Sequence, residues 1–351
     1  MQLFDLLGST EHEQLVLWSE PRFGYRGIIA IHDTTLGPAL GGTRFWNYAS
    51  DEEAIIDALR LSRGMTFKAA VAGVNLGGGK SVIIGDNRRT DREMLFRAHG
   101  RAVESLGGRY ITAEDVGTSP DDMEFLLAET EHVVGVHGGS GDPSPVTAYG
   151  TFVGIKAALQ FRRGSADLSG VHVAVQGLGS VGSWLCRYLA DEGSRITVSD
   201  IDADRVQAIV DECGATAVAT DAIYAVDADV FAPCALGAVI NDDTLKVLKP
   251  TIIAGAANNQ LAWPEHGQIV HDRGLLYAPD YVINAGGLIN VYGELQDWDT
   301  ERGKHKAGEI YGTLLRIFQK ADDEGVPTAL AADQIALERI EAARHLQRSF
   351  V

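Results

Sequence analysis

The sequence predicts an α/β protein with two domains: an N-terminal α/β domain and a C-terminal domain built on a doubly wound parallel sheet. Helix and strand signals alternate along 351 residues, which is enough chain for two sizeable cores. A β-rich run at residues 171–176 passes directly into a glycine-rich turn and then into a helical pattern. Residues 135–145 are rich in Gly, Ser, Asp and Pro, as domain boundaries often are. We therefore expect domains at residues 1–140 and 141–327.

Capping signals predict two helices in the N-terminal half. Ser50, followed three residues later by Glu53, has the pattern of a capping box, and apolar residues then recur at helical spacing. Thr90 and Glu93 repeat the pattern before a second helix. Short strands are expected at residues 27–32, 81–84 and 110–112.

Lys68 and Lys80 are the candidate chemical groups of this half. Lys80 follows three glycines, and residues without a Cβ let a backbone approach a ligand closely. A triphosphate-binding loop would need glycine at position 74, where the chain has Val74, so register excludes it. Two ammonium groups facing one pocket provide an anion anchor and, if burial and repulsion lower one pKa, a general base. Flanking apolar residues predict that both lysines lie at the ends of buried elements.

The glycine-rich turn after residue 176 has the GxGxxG pattern of Gly177, Gly179 and Gly182 in its strand-to-helix context. This order is typical of a Rossmann-type dinucleotide-binding unit; the alternative is a tight turn inside an ordinary α/β domain. A second strand at residues 195–199 ends at Asp200. A carboxylate there accepts hydrogen bonds from ribose hydroxyls and repels a 2′-phosphate, so the pattern predicts NAD rather than NADP.

Two later strands are expected at residues 229–232 and 251–254. Ligands bind at the carboxyl ends of such strands. Asn258 and Asn259, which follow the second strand, are therefore candidates to hold a carboxamide or a carboxylate. Each of them is also a residue that commonly caps a helix, and the sequence leaves both interpretations open.

Composition limits the partners. The net charge of −18 disfavours nucleic acid and anionic membranes, because their phosphates would be repelled. The three cysteines lie in unrelated contexts without a CxxC pair, so we expect neither disulfides nor a metal site. With no signal peptide and no apolar run of membrane-spanning length, a cytoplasmic location is expected.

Seven motifs in order, between about residues 27 and 295, resemble the glutamate, leucine, phenylalanine and valine dehydrogenase superfamily, with the closest likeness to its leucine and phenylalanine branch. They are residues 37–44 (GPALGGTR), 63–68 (RGMTFK), 77–80 (GGGK), 114–117 (EDVG), 143–148 (PSPVTA), 177–182 (GLGSVG) and 284–287 (NAGG).

The resemblance implies residue roles. Lys68 would hold a substrate α-carboxylate, Lys80 would be the general base, and Asp115 would assist proton transfer at the amino group. Gly41, Gly42 and Met65 would lie beside the substrate. The residues implied at the cofactor are Thr147, Gly177, Gly179, Ser180, Val181, Gly182, Asp200, Ile201, Ala235, Leu236 and Asn259, of which Asn259 would also touch the substrate.

The implied reaction converts an L-amino acid, NAD and water into a 2-oxo acid, ammonium and NADH, in a cleft that closes between the domains. Glutamate-specific relatives have a lysine where this chain has Leu40 and a serine where it has Val291. An apolar pocket of Leu40, Ala113, Leu288 and Val291 would leave a glutamate carboxylate unpaired, so we expect a substrate with an apolar side chain. The alternative is that these four residues belong to the hydrophobic core and do not contact the substrate. Ala113 and Val291 resemble the residues of leucine enzymes more than those of phenylalanine enzymes, which implies leucine or another branched-chain amino acid as the substrate.

The sequence leaves the aromatic substrates and a non-catalytic role open. Tyr292 and Gly293 stand where leucine enzymes commonly have Ala-Asp, which keeps tryptophan open as a substrate beside phenylalanine. A non-catalytic NAD(H) sensor is the alternative of another class, although it would not need Lys68, Lys80 and Asp115 together. The resemblance also implies a homo-oligomer, with C-terminal helices at about 328–351 returning to the N-terminal domain.

Overall fold

The computed structural model describes residues 2–137 and 141–348, and the chain divides into two compact units. Unit 1 comprises Met1–Gly141, Glu294–Asp297 and Ala336–Val351, and unit 2 comprises Asp142–Gly293 and Trp298–Ile335. Residues 138–140 of the predicted boundary segment and residues 349–351 of the predicted C-terminal helices lie outside the described residues.

Unit 1 contains five strands and four complete helices within its described residues. They are α1 (Leu3–Ser9), β1 (Gln14–Glu20), β2 (Tyr25–Asp33), β3 (Ala39–Trp46), α2 (Asp51–Val71), β4 (Gly77–Ile84), α3 (Glu93–Glu104), β5 (Tyr110–Glu114) and α4 (Pro120–Leu127), with a 3₁₀ turn at Pro21–Phe23 between β1 and β2.

The sheet of unit 1 has the order β1-β2-β4-β3-β5. β2 pairs antiparallel with β1 and β4, whereas β3 pairs parallel with β4 and β5. Each face carries its own core, because side chains alternate between the two faces. Ile28, Ala30, Val82 and Ile84 pack against α2, and Ile29, Ile31, Phe45 and Ile83 pack against α3 and α4.

In the described residues of unit 2, helices and strands mostly alternate as far as residue 277, and only helices follow. They are α5 (Ser144–Arg163), β6 (His172–Gln176), α6 (Ser180–Asp191), β7 (Arg195–Ser199), α7 (Ala203–Cys213), β8 (Thr216–Ala217), β9 (Val230–Pro233), α8 (Asp242–Val247), β10 (Ile252–Ile253), α9 (Glu265–Asp272), β11 (Leu276–Tyr277), α10 (Asp280–Ile283), α11 (Gly286–Leu295), α12 (Thr300–Gly308), α13 (Ile310–Glu324) and α14 (Thr328–Arg348), with a 3₁₀ turn at Ile223–Ala225.

The sheet of unit 2 is parallel throughout, with the order β11-β10-β9-β6-β7-β8. Numbered from β6, this is the 3-2-1-4-5-6 order of a Rossmann-type doubly wound sheet, and it confirms the predicted fold class. The chain reverses its winding between β6 and β9, where such sheets bind dinucleotides.

Of the two predicted helix caps in the N-terminal half, one is present and one is not. α2 is capped as expected, since the Ser50 hydroxyl accepts from the Glu53 N–H at 3.1 Å. The predicted capping box at Thr90 is wrong: α3 begins at Glu93, and its N-cap residue, Arg92, makes no capping hydrogen bond. The intervening Asp91 carboxylate is bound instead by both donors of Arg89, at 2.9 and 2.7 Å.

The last two helices of the chain are separated by a short break. α13 ends at Glu324, and the next residue, Gly325, has a φ of +64°, the left-handed conformation common after a helix C-terminus. α14 then extends from Thr328 in unit 2 into the part of unit 1 that begins at Ala336. Among the helices in the described ranges, none combines the length and apolar composition needed to cross a membrane.

Candidate active site

Lys80 lies in the interior of β4. The sequence had predicted that it lies at the end of an element, and that prediction is wrong. β4 begins at Gly77, so the glycine run is part of the strand. A Cβ on Gly78 would lie 2.1 Å from the Thr66 hydroxyl of α2, and one on Gly79 would lie 2.6 Å from the Tyr110 ring. These two glycines therefore allow close packing of β4 with its neighbours, and Lys80 is left only 6% exposed.

Because side chains alternate along a strand, Lys80 shares one face of the sheet with residues of β3 and β5. On β3, Leu40, Gly42 and Arg44 point to the same side of the sheet, and Gly42 pairs with Ala113 of β5. Leu40 is buried, whereas Ala113 is half-buried. The predicted residues Leu40, Gly42, Lys80 and Ala113 thus belong to neighbouring strands of a single sheet.

The Lys80 ammonium forms an ion pair with the Asp115 carboxylate, which follows directly after β5. Burial lowers the pKa of Lys80 below its ordinary value; Asp115 opposes this change and the Arg44 cation adds to it. Burial alone would raise the pKa of Asp115, but Lys80 and Arg44 outweigh it and hold that pKa below its usual range. The site therefore combines an ionised carboxylate with an amine whose neutral form is favoured by its surroundings.

Gly42 provides the space for this ion pair. A Cβ on Gly42 would lie 2.8 Å from the Asp115 Cβ and 2.5 Å from the Glu114 carbonyl oxygen. A Cβ on the neighbouring Gly41 would lie 1.8 Å from the Gly79 carbonyl oxygen. The absence of a side chain at Gly42 thus lets Asp115 approach Lys80.

Arg44 and Asp57 were given no role by the sequence reasoning. Arg44 donates to Asp115 at 3.2 Å and to Asp57 at 2.8 Å, and the Tyr48 hydroxyl donates to the same Asp57 at 2.7 Å. One signal was available for Arg44: it stands two positions after Gly42 on a strand, and so on the same face. Asp57 gave no such signal, because its position on α2 reads as an ordinary solvated helix face.

Lys68 and Met65 lie in the last two turns of α2, and both are half-buried. Phe67 between them is buried, and the Arg63 guanidinium lies 4.2 Å from the centre of its ring. α2 packs on the sheet face that carries Lys80. Unit 1 therefore brings together the predicted residues Leu40, Gly42, Lys80, Ala113 and Asp115, with Lys68 and Met65 on the helix that covers the same face.

The glycine turn of unit 2 has the geometry that a dinucleotide requires. Gly177 has a φ of +94°, and a Cβ there would lie 2.6 Å from that of Ala235. A Cβ on Gly182 would lie 2.0 Å from the Gly177 carbonyl oxygen, whereas one on Gly179 would meet no atom within 4 Å. The outer two glycines are required for packing, and Gly179 presents open backbone at the N-terminus of α6. This arrangement fits a pyrophosphate.

A groove of about 590 Å³ extends along this turn. Its lining includes Gly177, Gly179, Asp200, Ile201, Ala235 and Leu236, all predicted for the cofactor, together with Arg205, Thr220 and Tyr224, which the sequence reasoning missed. Ile201 and Leu236 are 95% and 80% exposed. The Asp200 carboxylate accepts the Leu178 N–H at 2.5 Å and the Asp202 N–H at 2.9 Å, which orients it in the groove.

Asn258 and Asn259 do not cap a helix, because α9 begins only at Glu265 and Pro264 is its N-cap residue. Asn259 is exposed and has a φ of +49°, a conformation that asparagine adopts more readily than most residues. The Asn258 side chain accepts from Asn284 at 2.7 Å. The buried Gln260 amide donates to the Gly255 and Ala257 carbonyls at 2.7 and 2.9 Å, and so braces the loop.

Thr147 lies on α5 against the start of α11. A Cβ on Gly287 would lie 3.2 Å from the Thr147 hydroxyl, and one on Gly286 would lie 2.7 Å from the Thr147 Cα. α11 also carries the predicted residues Leu288, which is buried, and Val291, which is half-buried. Unit 2 therefore groups Thr147 with the helix of Leu288 and Val291.

The structure has a doubly wound sheet with an open glycine turn, and a buried lysine whose pKa is lowered lies beside a carboxylate. These features are typical of a dinucleotide-dependent oxidoreductase. Residues 19–132 match the family model described as "Glu/Leu/Phe/Val dehydrogenase, dimerisation domain", and residues 138–214 and 202–348 match "Glutamate/Leucine/Phenylalanine/Valine dehydrogenase". The chain belongs to this family of amino-acid dehydrogenases, which are NAD(P)-dependent enzymes acting on CH–NH₂ donors.

Individual relatives agree with this assignment. The chain is 53% identical over 354 residues to leucine dehydrogenase of Bacillus subtilis (strain 168), with 100% of this chain and 97% of that protein covered. It is 49% identical over 345 residues to L-tryptophan dehydrogenase of Nostoc punctiforme, with 98% of each covered. The crystal structure of L-tryptophan dehydrogenase from Nostoc punctiforme superposes with a TM-score of 0.90 at 47% identity, covering 97% of this chain and 99% of that one.

Proposed function

We propose that this enzyme catalyses the NAD-dependent, reversible oxidative deamination of an apolar L-amino acid, with leucine and other branched-chain amino acids preferred. The products are the 2-oxo acid, ammonium and NADH. One observation carries the proposal: the buried Lys80 is paired with Asp115 on a sheet face that also carries Leu40 and Ala113. The identity of 53% to a leucine dehydrogenase supports the choice of substrate.

The proposed roles of the charged residues follow from their surroundings. Lys68 binds the α-carboxylate of the substrate and stays cationic, because a carboxylate partner favours the charged form. Lys80 is the general base that takes a proton from the water attacking the substrate iminium carbon; its lowered pKa makes the neutral amine available. Asp115 transfers protons to and from the amino group and stabilises the Lys80 ammonium once it has formed.

NAD is the proposed cofactor, and when bound it supplies the hydride-accepting chemistry. Gly179 and the first N–H groups of α6, at Ser180 and Val181, would hold the pyrophosphate. Asp200 would accept hydrogen bonds from the ribose hydroxyls, and its charge favours NAD over NADP. Thr147 and Asn259 are proposed to contact the nicotinamide.

Tyr292, the residue that keeps tryptophan open as a substrate, packs within unit 2. The Tyr292 ring packs edge-on against Trp298, with centroids 5.3 Å apart and planes at 89°. The tyrosine at this position therefore has a packing partner in its own chain. Tryptophan and phenylalanine remain the second candidates, because a tryptophan dehydrogenase is 49% identical to this chain.

We further propose a homo-oligomer assembled through unit 1, which would also bind the substrate. The description of the matching family model as a dimerisation domain supports this assembly. Size exclusion with light scattering would give the subunit number, and elution as a monomer would contradict it. The three free cysteines are compatible with the proposed cytoplasmic location.

Initial rates with leucine, valine, phenylalanine, tryptophan and glutamate, each with NAD and with NADP, test the substrate and the cofactor. We expect the highest kcat/KM with leucine or valine and NAD. Glutamate should be slower by about 100-fold or more, since its unpaired carboxylate costs a few kcal/mol in an apolar pocket. Higher rates with an aromatic amino acid would make the second candidate the function, and NADH binding without turnover of any substrate would refute both.

The Lys80→Ala variant tests the assigned base. Loss of the amine should lower kcat by about 100-fold to 10,000-fold, the usual contribution of general-base catalysis. The Kd for NADH, measured by fluorescence, should stay near the wild-type value, because Lys80 belongs to unit 1 and the glycine turn to unit 2. A variant with near-wild-type turnover would refute the assignment.

A further inference from the structure

Arg339 of α14 binds the segment that connects the helix of Lys68 to the strand of Lys80. Its guanidinium Nη1 donates to the carbonyl oxygens of Ala69 at 3.1 Å, Ala70 at 2.9 Å and Val74 at 2.9 Å. Nη2 donates to the Asn75 side-chain oxygen at 2.9 Å. One side chain from near the C-terminus thus has four acceptors in a stretch of seven residues.

These acceptors include the two carbonyls directly after Lys68. The last four carbonyls of a helix have no intrahelical partner of the usual kind, and their pairing determines how the helix ends. In α2, the Ala69 and Ala70 carbonyls accept from the Val74 and Gly73 N–H groups at 3.3 Å each, at the upper limit for a good hydrogen bond. Arg339 adds a shorter, charge-assisted bond to each of them, which favours this ending.

The remaining acceptors lie on the far side of the turn. Val74 is fully buried, and β4 begins three residues later, at Gly77. Arg339 therefore holds the end of α2 and the approach to β4 in one hydrogen-bonded unit. Lysine would replace it only in part, because one ammonium could reach the three carbonyls that Nη1 bonds but not also the Asn75 oxygen that Nη2 bonds.

We propose that Arg339 is a positioning residue for the reaction: it fixes the last turn of α2 so that Lys68 is held where it binds the substrate carboxylate. The inference rests on the proposed function, which assigns that role to Lys68. The C-terminal helix would thus contribute to substrate affinity, although it lies outside the catalytic motifs.

Steady-state kinetics of Arg339→Ala test this role. We expect the KM for the amino acid to rise about tenfold, since small misplacements of a binding group have effects up to about 100-fold. The Kd for NADH should not change, because the cofactor residues belong to unit 2. If Arg339→Ala does not yield folded protein, Arg339→Gln serves in its place, because its shorter, uncharged amide cannot make all four bonds; a smaller rise in KM is expected, and a wild-type KM would contradict the proposal.

Arg344→Ala is the matched control. Arg344 anchors the same helix to unit 1 through Asp33 and Thr35, at the end of β2, without touching α2. Its loss should lower the melting temperature but leave the KM within about twofold, because the end of α2 keeps its four bonds. An equal rise in KM for Arg344→Ala and Arg339→Ala would mean that only the docking of the helix matters, and would overturn the proposal.

Lys68→Ala, alone and combined with Arg339→Ala, separates this inference from the proposed function. If Arg339 acts through Lys68, the second substitution adds little to the KM of Lys68→Ala. Independent, multiplicative effects, or a raised KM in Lys68→Ala with a wild-type KM in Arg339→Ala, would overturn the role of Arg339 alone. An unchanged KM in Lys68→Ala would refute the role assigned to Lys68, and the positioning role with it.

Discussion

The Arg44 guanidinium and the Lys80 ammonium share one oxygen of the Asp115 carboxylate, to which the Arg44 Nε–H donates at 3.2 Å. Two cations beside one carboxylate repel each other, so the one that can lose its proton is favoured to do so. Arginine stays protonated in proteins, whereas a buried lysine can lose its proton. Arg44 therefore acts with burial to lower the pKa of Lys80, and the shared carboxylate keeps the amine in place.

Replacement of Arg44 should move the pH dependence of deamination. In the proposed mechanism Lys80 acts as a base in its neutral form, so activity should rise as the pH passes upward through its pKa. Arg44→Gln removes a cation that lowers this pKa, so the rising limb of kcat/KM should move to higher pH, and activity measured on that limb should fall severalfold. Asp57→Asn is the opposed control: the Asp57 charge raises the pKa of Lys80, so its loss should move the limb to lower pH. Identical pH profiles in the three proteins would contradict this electrostatic account.

Gly42→Ala should inactivate the enzyme through geometry alone. The added methyl group would lie 2.8 Å from the Asp115 Cβ and must displace the carboxylate from Lys80. A misplacement of this kind lowers kcat by about 100-fold. Gly312→Ala, in the exposed interior of α13 with no atom within 4 Å, should keep full activity and gain about 0.5–1 kcal/mol of stability. Full kcat in Gly42→Ala would show that Lys80 does not need Asp115 beside it.

Ala113→Gly should enlarge the proposed substrate pocket. Ala113 pairs with Gly42 on the sheet face of Lys80. In the proposed pocket its methyl group would limit the length of a bound side chain. Its removal should raise the ratio of kcat/KM for phenylalanine to that for leucine by about tenfold, the usual effect of one methylene-sized change. Kinetics with both substrates measure this ratio. No change in it would place the substrate side chain elsewhere.

Buried His99 should make the protein sensitive to mild acid. Its ring is fully buried and bonded to Tyr25 at 2.7 Å and Thr43 at 2.9 Å, and burial lowers its pKa from 6.5 to about 3. Below pH 6.5 the unfolded chain binds a proton that the folded protein does not, so the free energy of unfolding falls by about 1.4 kcal/mol per pH unit. The His99→Gln variant should not lose this stability, because glutamine does not bind a proton in this pH range.

Urea unfolding at pH 7 and at pH 5 measures the effect. As the pH falls from 7 to 5, the free energy of unfolding should fall more in the wild type than in His99→Gln, whatever the two values are at pH 7. His32, whose pKa is lowered to about 4 by burial, is present in both proteins and cancels in the comparison. A constant difference would mean that His99 is protonated in the folded state.

The doubly wound sheet was predictable because each of its signals is local. The Rossmann-type unit follows a fixed order along the chain: the strand His172–Gln176, the glycine turn and then the acidic Asp200, whose carboxylate accepts the Leu178 N–H of the turn. β3 was not predicted, since Gly41 and Gly42 weaken a strand signal that only pairing with β4 and β5 overcomes. β4 was predicted without its first four residues for the same reason.

The sequence by itself determined the family, the residue types of the site and the expectation that Lys68 and Lys80 have different roles. Only the tertiary structure decided that Lys80 lies inside a strand, that Gly42 makes room for Asp115, and that Arg44 binds the same carboxylate as Lys80. Contacts such as those of Arg339 with Ala69 and Val74 join residues more than 260 positions apart. Local propensity carries no information about such pairs, because they are set by how the sheet, its covering helix and the C-terminal helix pack together.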